Sequence, residues 1–384
     1  MNRSVAILLV SCLAAVIVAT GARAQIIYGQ PTEGEARLVY QSWKLTYEDD
    51  AASTKYDTSL SQSAFPVYVF LPVADNWEVH FSAAFSRSCL DGGDGGFSVA
   101  TLSSPTIKAY RSFCRDRLFG SLGLVLPLGK TKLDSTQLVL AQLLAGDYLN
   151  LPIKQLGGGF GVLMQFGGAE QYEQFIYGGS VSYYYAGTYT FAAGSKEYDP
   201  GDEITLQGSA TAPLGAGRID LDLGYKYYYT DKLGPIEILK NGDQFSLSLR
   251  GSYDLAPTNA SLGLLYITRA RNSRPQGEVF NYEENNSYGA KLVFSGAVSH
   301  LVKPDWKATA LFAYRALGAN DWKTDHPAYF GSSNLFSIGA DLTFSGNRGR
   351  YSLFGRILFS FGSADDDAIS ISGNEISVGG RVKL

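Results

Sequence analysis

The sequence is poor in several residue types, and each shortage excludes something. Three cysteines and three histidines in 384 residues leave little for a metal centre or a nucleophilic site. Charge of neither sign dominates: 32 Lys and Arg stand against 36 Asp and Glu, a formal net of -4, which does not suit a basic nucleic-acid binder. Beyond the first twenty residues no stretch supplies the ~18 to 20 unbroken apolar residues of a membrane helix. If the chain is integral to a membrane it must therefore cross as a closed barrel, the other structure that satisfies every backbone polar group in lipid. What is abundant is glycine, tyrosine and phenylalanine, at 43, 25 and 21 residues.

The N-terminus reads as a secretory leader. Met1-Asn2-Arg3 is a basic n-region, Val5 to Val18 an apolar core and Ala22-Arg23-Ala24 an A-x-A cleavage site. This predicts a signal peptide over 1–24, cleaved before Gln25, and a mature domain over 25–384. Leu9-Val10-Ser11-Cys12 resembles a lipobox, but the apolar run continues through Leu13 to Val18, where a lipidated N-terminus turns polar. Export leaves Cys89 and Cys114 as the thiols able to form a disulfide in an oxidising compartment.

The mature chain alternates apolar and polar residues at a period of two over segments of about ten, the mark of a barrel wall. From Trp77, Val79, Phe81 and Phe85 alternate with Glu78, His80, Ser82 and Ser86. Ile219, Leu221, Leu223, Tyr225, Tyr227 and Tyr229 oppose Asp220, Asp222 and Lys226, and Phe245, Leu247 and Leu249 oppose Ser246, Ser248 and Arg250. Carboxylates at every second position rule out a helical face. The same reading holds for segments near 261–271, 288–295, 306–315, 336–344, 351–360 and 375–383. It is weaker near 37–47, 65–73, 77–87, 105–113, 118–128, 158–167, 174–186 and 203–212. The expected fold is all-β, a transmembrane antiparallel up-and-down barrel of about 16 strands (14–16).

Connections alternate in length. Residues 74–76, 213–217, 255–259 and 345–349 are short, whereas 48–64, 129–157, 187–202, 272–287 and 317–333 are long. Short turns belong on the periplasmic side and long loops outside, which places both termini in the periplasm. Trp77 and Trp306 follow short turns, and Tyr183, Tyr185, Tyr227 and Tyr229 precede long loops, as two interfacial girdles require. In this topology Cys89 and Cys114 fall on opposite sides of the membrane, so no bridge is expected. A hairpin of 96–103 with 105–113 would instead return Cys114 to the outer side.

The passage Leu124-Val125-Leu126-Pro127-Leu128-Gly129-Lys130-Thr131 and the re-entry Gly157-Gly158-Gly159-Phe160-Gly161 resemble the Gram-negative outer-membrane channels that take up fatty acids, aromatic hydrocarbons and phenolic compounds. The resemblance implies passive uptake of small hydrophobic or aromatic solutes. Two features depart from it. Gln25 to Glu35 lacks the Asn-Pro-Ala hatch of the fatty-acid channels, and the chain ends Arg381-Val382-Lys383-Leu384 in place of a terminal Phe.

Within 129–157, Asp134-Ser135-Thr136-Gln137 is a capping-box start and Gly146 a stop, predicting an amphipathic helix over 135–145. It would serve either as a lid or constriction in the mouth or as a helix packed on the barrel rim. Facing the lumen are Lys226, Arg250, Arg269, Arg271, Lys291, Lys307, Arg315, Arg356 and Arg381, against Asp220, Asp222, Asp254, Asp341 and Glu375. A basic ring favours anions, whereas an ion-pair lattice would simply fill the barrel. Of the histidines, His80 shares a face with Glu78 and Ser82, but residues two apart on a strand sit about 7 Å from each other, too far for a direct relay. No enzyme, cofactor or metal site is expected. Asp365-Asp366-Asp367 reads as a solvated acidic run with at most weak cation binding. The reading is a monomeric outer-membrane channel whose partners are a small-molecule solute, outer-membrane lipid and the barrel-assembly machinery, with no nucleic acid. The competing class is a plugged structural or surface-interaction barrel.

Overall fold

The computed structural model of the protein describes residues 32–49, 54–92, 95–276 and 279–384; the leader read over 1–24 lies outside them. The strands are β1 (Glu33–Asp49), β2 (Thr54–Ala74), β3 (Trp77–Gly92), β4 (Gly95–Phe113), β5 (Leu118–Val125), β6 (Gly161–Tyr172), β7 (Phe175–Ala186), β8 (Tyr198–Asp199), β9 (Glu203–Leu214), β10 (Gly217–Tyr228), β11 (Thr230–Leu233), β12 (Ile236–Lys240), β13 (Gln244–Leu255), β14 (Thr258–Arg269), β15 (Ser273–Gln276), β16 (Val279–Tyr282), β17 (Lys291–Lys303), β18 (Trp306–Leu317), β19 (Ser333–Gly346), β20 (Tyr351–Ala364) and β21 (Ile369–Lys383). Sixteen of them form one closed antiparallel barrel in sequence order, and β1 pairs with β21 to shut it.

The period-two pattern becomes a wall because each register keeps like residues side by side. Leu221, Leu249, Leu264, Phe294, Tyr314, Phe336 and Phe361 are successive cross-strand partners on the outer face. One residue along, Asp222, Ser248, Leu265, Val293 and Arg315 run around the inner face. The outer set stays open to the surroundings, with Leu223, Leu249, Phe294, Ile338 and Phe359 all more than a third exposed. A closed sheet with an apolar outer belt is the membrane-spanning barrel architecture. Trp77 and Trp306 sit outward at its short-turn end, and Tyr185 and Tyr229 at its long-loop end.

The first four strands depart from the expected layout. The segment 48–64, read as a long loop, is mostly wall: β1 runs to Asp49 and β2 starts at Thr54. Likewise β3 and β4 extend to Gly92 and from Gly95. The physical reason is that the alternation changes sense partway along. Toward the long-loop end the outward residues turn polar, as Asp57, Ser59, Ser63, Arg87 and Ser98. The inward ones turn apolar, as Trp43, Leu60, Leu90 and Val99, all under a tenth exposed. These strand ends are sheet with water outside and a core inside. Cys89 lies in β3 opposite Ser98, and Cys114 in the turn after β4, sixteen residues further on. At ~3.3 Å per residue that is roughly 50 Å of strand, and both thiols are free.

Short turns join the strands at one end. In the β9–β10 turn Gly215 adopts φ +58°, a left-handed conformation that suits glycine. At the other end, three successive connections form a second, five-stranded sheet in the order β16-β15-β12-β11-β8.

Candidate functional site

The connection between β5 and β6 folds into the barrel. Its entry and exit are the two glycine-containing passages singled out in the sequence, and they cross backbone to backbone. A Cβ on Gly129 would lie 2.4 Å from the Gly157 Cα, so neither position accepts a side chain without moving the chain. Thr101 on β4 holds the crossing: its hydroxyl donates to the Leu156 carbonyl at 2.6 Å and accepts from the Lys130 N–H at 2.8 Å.

Between these points lies helix α1 (Ser135–Ala145), as the sequence predicts. Asp134 caps it, accepting from the Gln137 N–H at 2.9 Å, while the Gln137 side chain accepts from the Asp134 N–H at 3.4 Å. Gly146 ends the helix for a reason the sequence does not give. Its φ of -58° suits any residue, but a Cβ there would meet the Tyr148 ring at 2.7 Å. Leu140 and Leu144 are fully buried and join Leu149, Leu151 and Leu156 in one cluster with Trp43, Leu60, Leu90, Val99, Leu335 and Ile371. The helix is thus inside the barrel mouth and not on the outer rim: it lies against β3 and β4, and the cluster it shares with the leucines that follow extends to the inner faces of β1, β2 and β19–β21. Burial of this order fixes a loop, since each such leucine contributes several kcal/mol.

Beyond the helix the loop is pinned to both sides of the lumen. Buried Gln62 on β2 exchanges two hydrogen bonds with the Ile153 backbone, at 2.8 and 3.0 Å, and Gln41 on β1 donates to the Asn150 carbonyl at 2.9 Å. On the other wall, Lys291 of β17 lies 3.1 Å from the Asp147 carboxylate, and Arg315 of β18 donates to the Asn150 side chain at 2.6 Å. Burial alone would raise the Asp147 pKa, but Lys154 at 2.5 Å and Lys291 overcome it and hold the carboxyl at about 2. Burial pushes the neighbouring Tyr148 hydroxyl up to about 12, so it stays neutral. None of Gln41, Gln62, Asp147, Tyr148 or Asn150 was singled out in the sequence. The one available signal was the polar pair directly after the helix stop.

The lumen residues read from the sequence separate into groups. Lys226, Arg269, Lys291 and Arg315 gather near the loop end. Lys226 pairs with Glu203 at 2.8 Å, and Arg269 donates to Gln244 at 3.0 Å with its guanidinium 4.9 Å from the Tyr288 ring. Arg250 pairs with Asp222 at 2.7 Å farther down the wall. Arg356 lies 3.6 Å from Asp341 on another part of it, and Arg381 reaches Glu33 and Glu35 across the β1–β21 seam at 3.0 and 2.5 Å. Arg271 lies past the end of β14, in the connection to β15, where it donates to the Glu283 and Glu284 carbonyls. The basic side chains are therefore largely matched by acids or amides, closer to a lattice than to a free cationic ring. Asp365-Asp366-Asp367 is not a merely solvated run. Asp365 accepts from the Gly331 N–H at 2.8 Å, and Asp366 from the Ser332 N–H and hydroxyl at 2.7 Å each, tying down the β18–β19 connection.

Two of the cavities open on the lumen. One, about 550 Å³, lies along the inner wall of β5–β13 and is lined by Gln165, Ser180, Gln207, Asp222, Ser248 and Arg250. The other, about 620 Å³, lies between the loop and β13–β18, where Tyr148, Tyr288, Phe330 and Leu317 face Arg269 and Lys291.

The class these features define is a sixteen-stranded membrane barrel with a loop folded into its mouth. No family model matches the chain, and no curated protein sequence matches it. Among solved structures it is similar to OpdQ of Pseudomonas aeruginosa, at 10% identity and TM-score 0.45 over 92% of this chain and 99% of that one. It is also similar to OccAB4 of Acinetobacter baumannii, at 9% and 0.44 over 92% and 99%. A third is the CymD monoaromatic hydrocarbon channel, at 12% and 0.42 over 92% and 89%.

Proposed function

We propose that the protein is a bacterial outer-membrane channel for passive passage of small solutes, narrowed by the in-folded loop between β5 and β6. The observation that carries this reading is that the loop is pinned to two separate parts of the wall, through Gln62 and through Lys291 and Arg315, while one cavity lies against it and a polar one lies along the inner wall of β5–β13. A loop held this way supports a fixed aperture. The residues proposed to line the path are Lys226, Arg250, Arg269, Lys291, Arg315, Asp341, Arg356 and Arg381; Arg271 would stand at its outer entrance.

The finer reading is a hydrophobic or aromatic solute. The larger cavity supports it by offering three aromatic rings and an aliphatic wall together with two cations, a setting for an apolar body with a polar end. Outer-membrane lipid, the assembly machinery and a monomeric state complete the proposal, and no reaction is assigned. The second reading, a plugged surface barrel, draws on the same loop and on the five-stranded sheet above the wall.

Planar-bilayer recording separates the two. A channel gives discrete conductance steps, and current block by aromatic solutes at lower concentration than by aliphatic ones of equal size supports the aromatic reading. A purified, folded barrel that gives no steps overturns the channel.

A further inference from the structure

On the lipid face at the short-turn end, Arg111 of β4 is held between two aromatic rings. Its guanidinium carbon lies 5.3 Å from the Trp77 ring and 5.1 Å from the Phe113 ring, and no carboxylate pairs with it among the described residues. Strand register shows that Arg111 faces outward. It is opposite Trp77 on β3, and its chain neighbours Tyr110 and Ser112 share the inward face with Glu78 and Phe119. Across the other edge its partner on β5 is Gly120, whose own partner on β6 is Phe166, 54% exposed.

Gly120 leaves a notch in the wall between the guanidinium and Phe166. A Cβ there would meet the Phe113 ring at 3.5 Å, an ordinary contact, so packing does not require the glycine. Above the notch the belt continues through exposed Leu122, Leu124 and Ile107, and below it exposed Arg115 stands in the turn after β4. A cation facing lipid is costly at mid-depth but favourable at the interface, where aromatic girdles sit and phosphates are within reach.

We propose that Arg111, Trp77, Phe113 and the Gly120 notch form a binding site for the headgroup of an anionic phospholipid in the leaflet at the short-turn end. Arg111 donates to the phosphate in the notch, Arg115 adds a second positive charge, and one acyl chain lies along Leu122 and Ile107. A guanidinium fork suits phosphate oxygens, and here two rings flank it. The inference rests on the membrane placement of the wall and not on the channel reading, so a barrel without conductance would leave it intact.

The test is native mass spectrometry of the full mature protein in detergent, titrated with phosphatidylglycerol or phosphatidylcholine of the same chains. The heat-dependent mobility shift of a folded barrel is checked for every variant. The expected result is preferential retention of phosphatidylglycerol, reduced at least about threefold in Arg111→Gln and in Gly120→Leu, which fills the notch and keeps the charge. Arg111→Lys should retain part of it. Arg87→Gln, on the outward face toward the other end, should retain all of it. Equal retention of the two lipids, unchanged retention in folded Arg111→Gln and Gly120→Leu, or equal loss in Arg87→Gln would each overturn the proposal.

Discussion

The Asp147 carboxylate lies 3.1 Å from the ammonium of Lys291 on β17, across the barrel from β3 and β4, against which the helix of the same loop lies. One chain segment thereby bridges the mouth, with an apolar attachment on one side and an ionic one on the other. The two attachments should fail under different conditions.

The ionic attachment should fail first in acid. The Asp147 pKa is depressed from its ordinary 3.8 to about 2, so its contribution is fully present above 3.8 and is lost as the pH falls toward 2. Asp147→Asn should mimic the acid state at neutral pH. A partly exposed ion pair is worth roughly 0.2–1 kcal/mol, so the released population should rise about one and a half to fivefold. Single-channel recording should show this as added open-state noise in the wild type below pH 4 and in the variant at pH 7. Identical traces from the two proteins at pH 7 would refute the tether.

The apolar attachment should be stronger. Leu140 is fully buried, and Leu140→Ala at such a site costs about 2–5 kcal/mol. A loss of even 2 kcal/mol raises the open population of the loop about thirtyfold. Limited trypsin digestion of the folded barrel should cut faster at Lys132 and Lys154, while the barrel keeps its heat-dependent mobility. Unchanged cleavage rates would mean that the helix is held by something other than this cluster.

The wall itself is tested by adjacent residues on β13. Leu247 faces outward and pairs with Leu223, whereas Ser248 faces the lumen and pairs with Asp222. A lysine at the lipid-facing midplane costs roughly 2–4 kcal/mol and one facing the lumen much less. Leu247→Lys should therefore lower the yield of folded barrel in vesicles well below that of Ser248→Lys. Equal yields would contradict the register.

Much of this architecture was legible because one strong rule, lipid outside and polar inside, applies to most of the wall from Gly217 to Lys383. There the segments around Leu221, Leu249, Phe312 and Ile338 fall on their strands with the faces read from the sequence. The rule weakens in β1–β4 for a physical reason. Beyond the lipid belt Ser59 and Ser63 face water while Leu60 and Val99 face a core, so the same period carries the opposite sense and was read as loop. Helix α1 was visible through Asp134 and Gln137, which act locally. Its seat was not, because Trp43, Leu60 and Ile371 come from strands far apart in the chain. The loop sheet of β8, β11, β12, β15 and β16 escaped notice because its pieces are two to five residues long.

The cluster under helix α1 also bears on how the ring stays shut. Trp43 belongs to the first strand and Ile371 to the last. They flank the line where the sheet closes, and a Cβ on Gly373, the partner of Trp43 across that line, would strike the indole at 2.4 Å. A segment from the middle of the chain thus covers the join between its two ends. Parting β1 from β21 would break backbone hydrogen bonds and also expose leucines at the mouth to water. The loop that narrows the lumen is at the same time a clasp on the barrel's one non-sequential strand pairing.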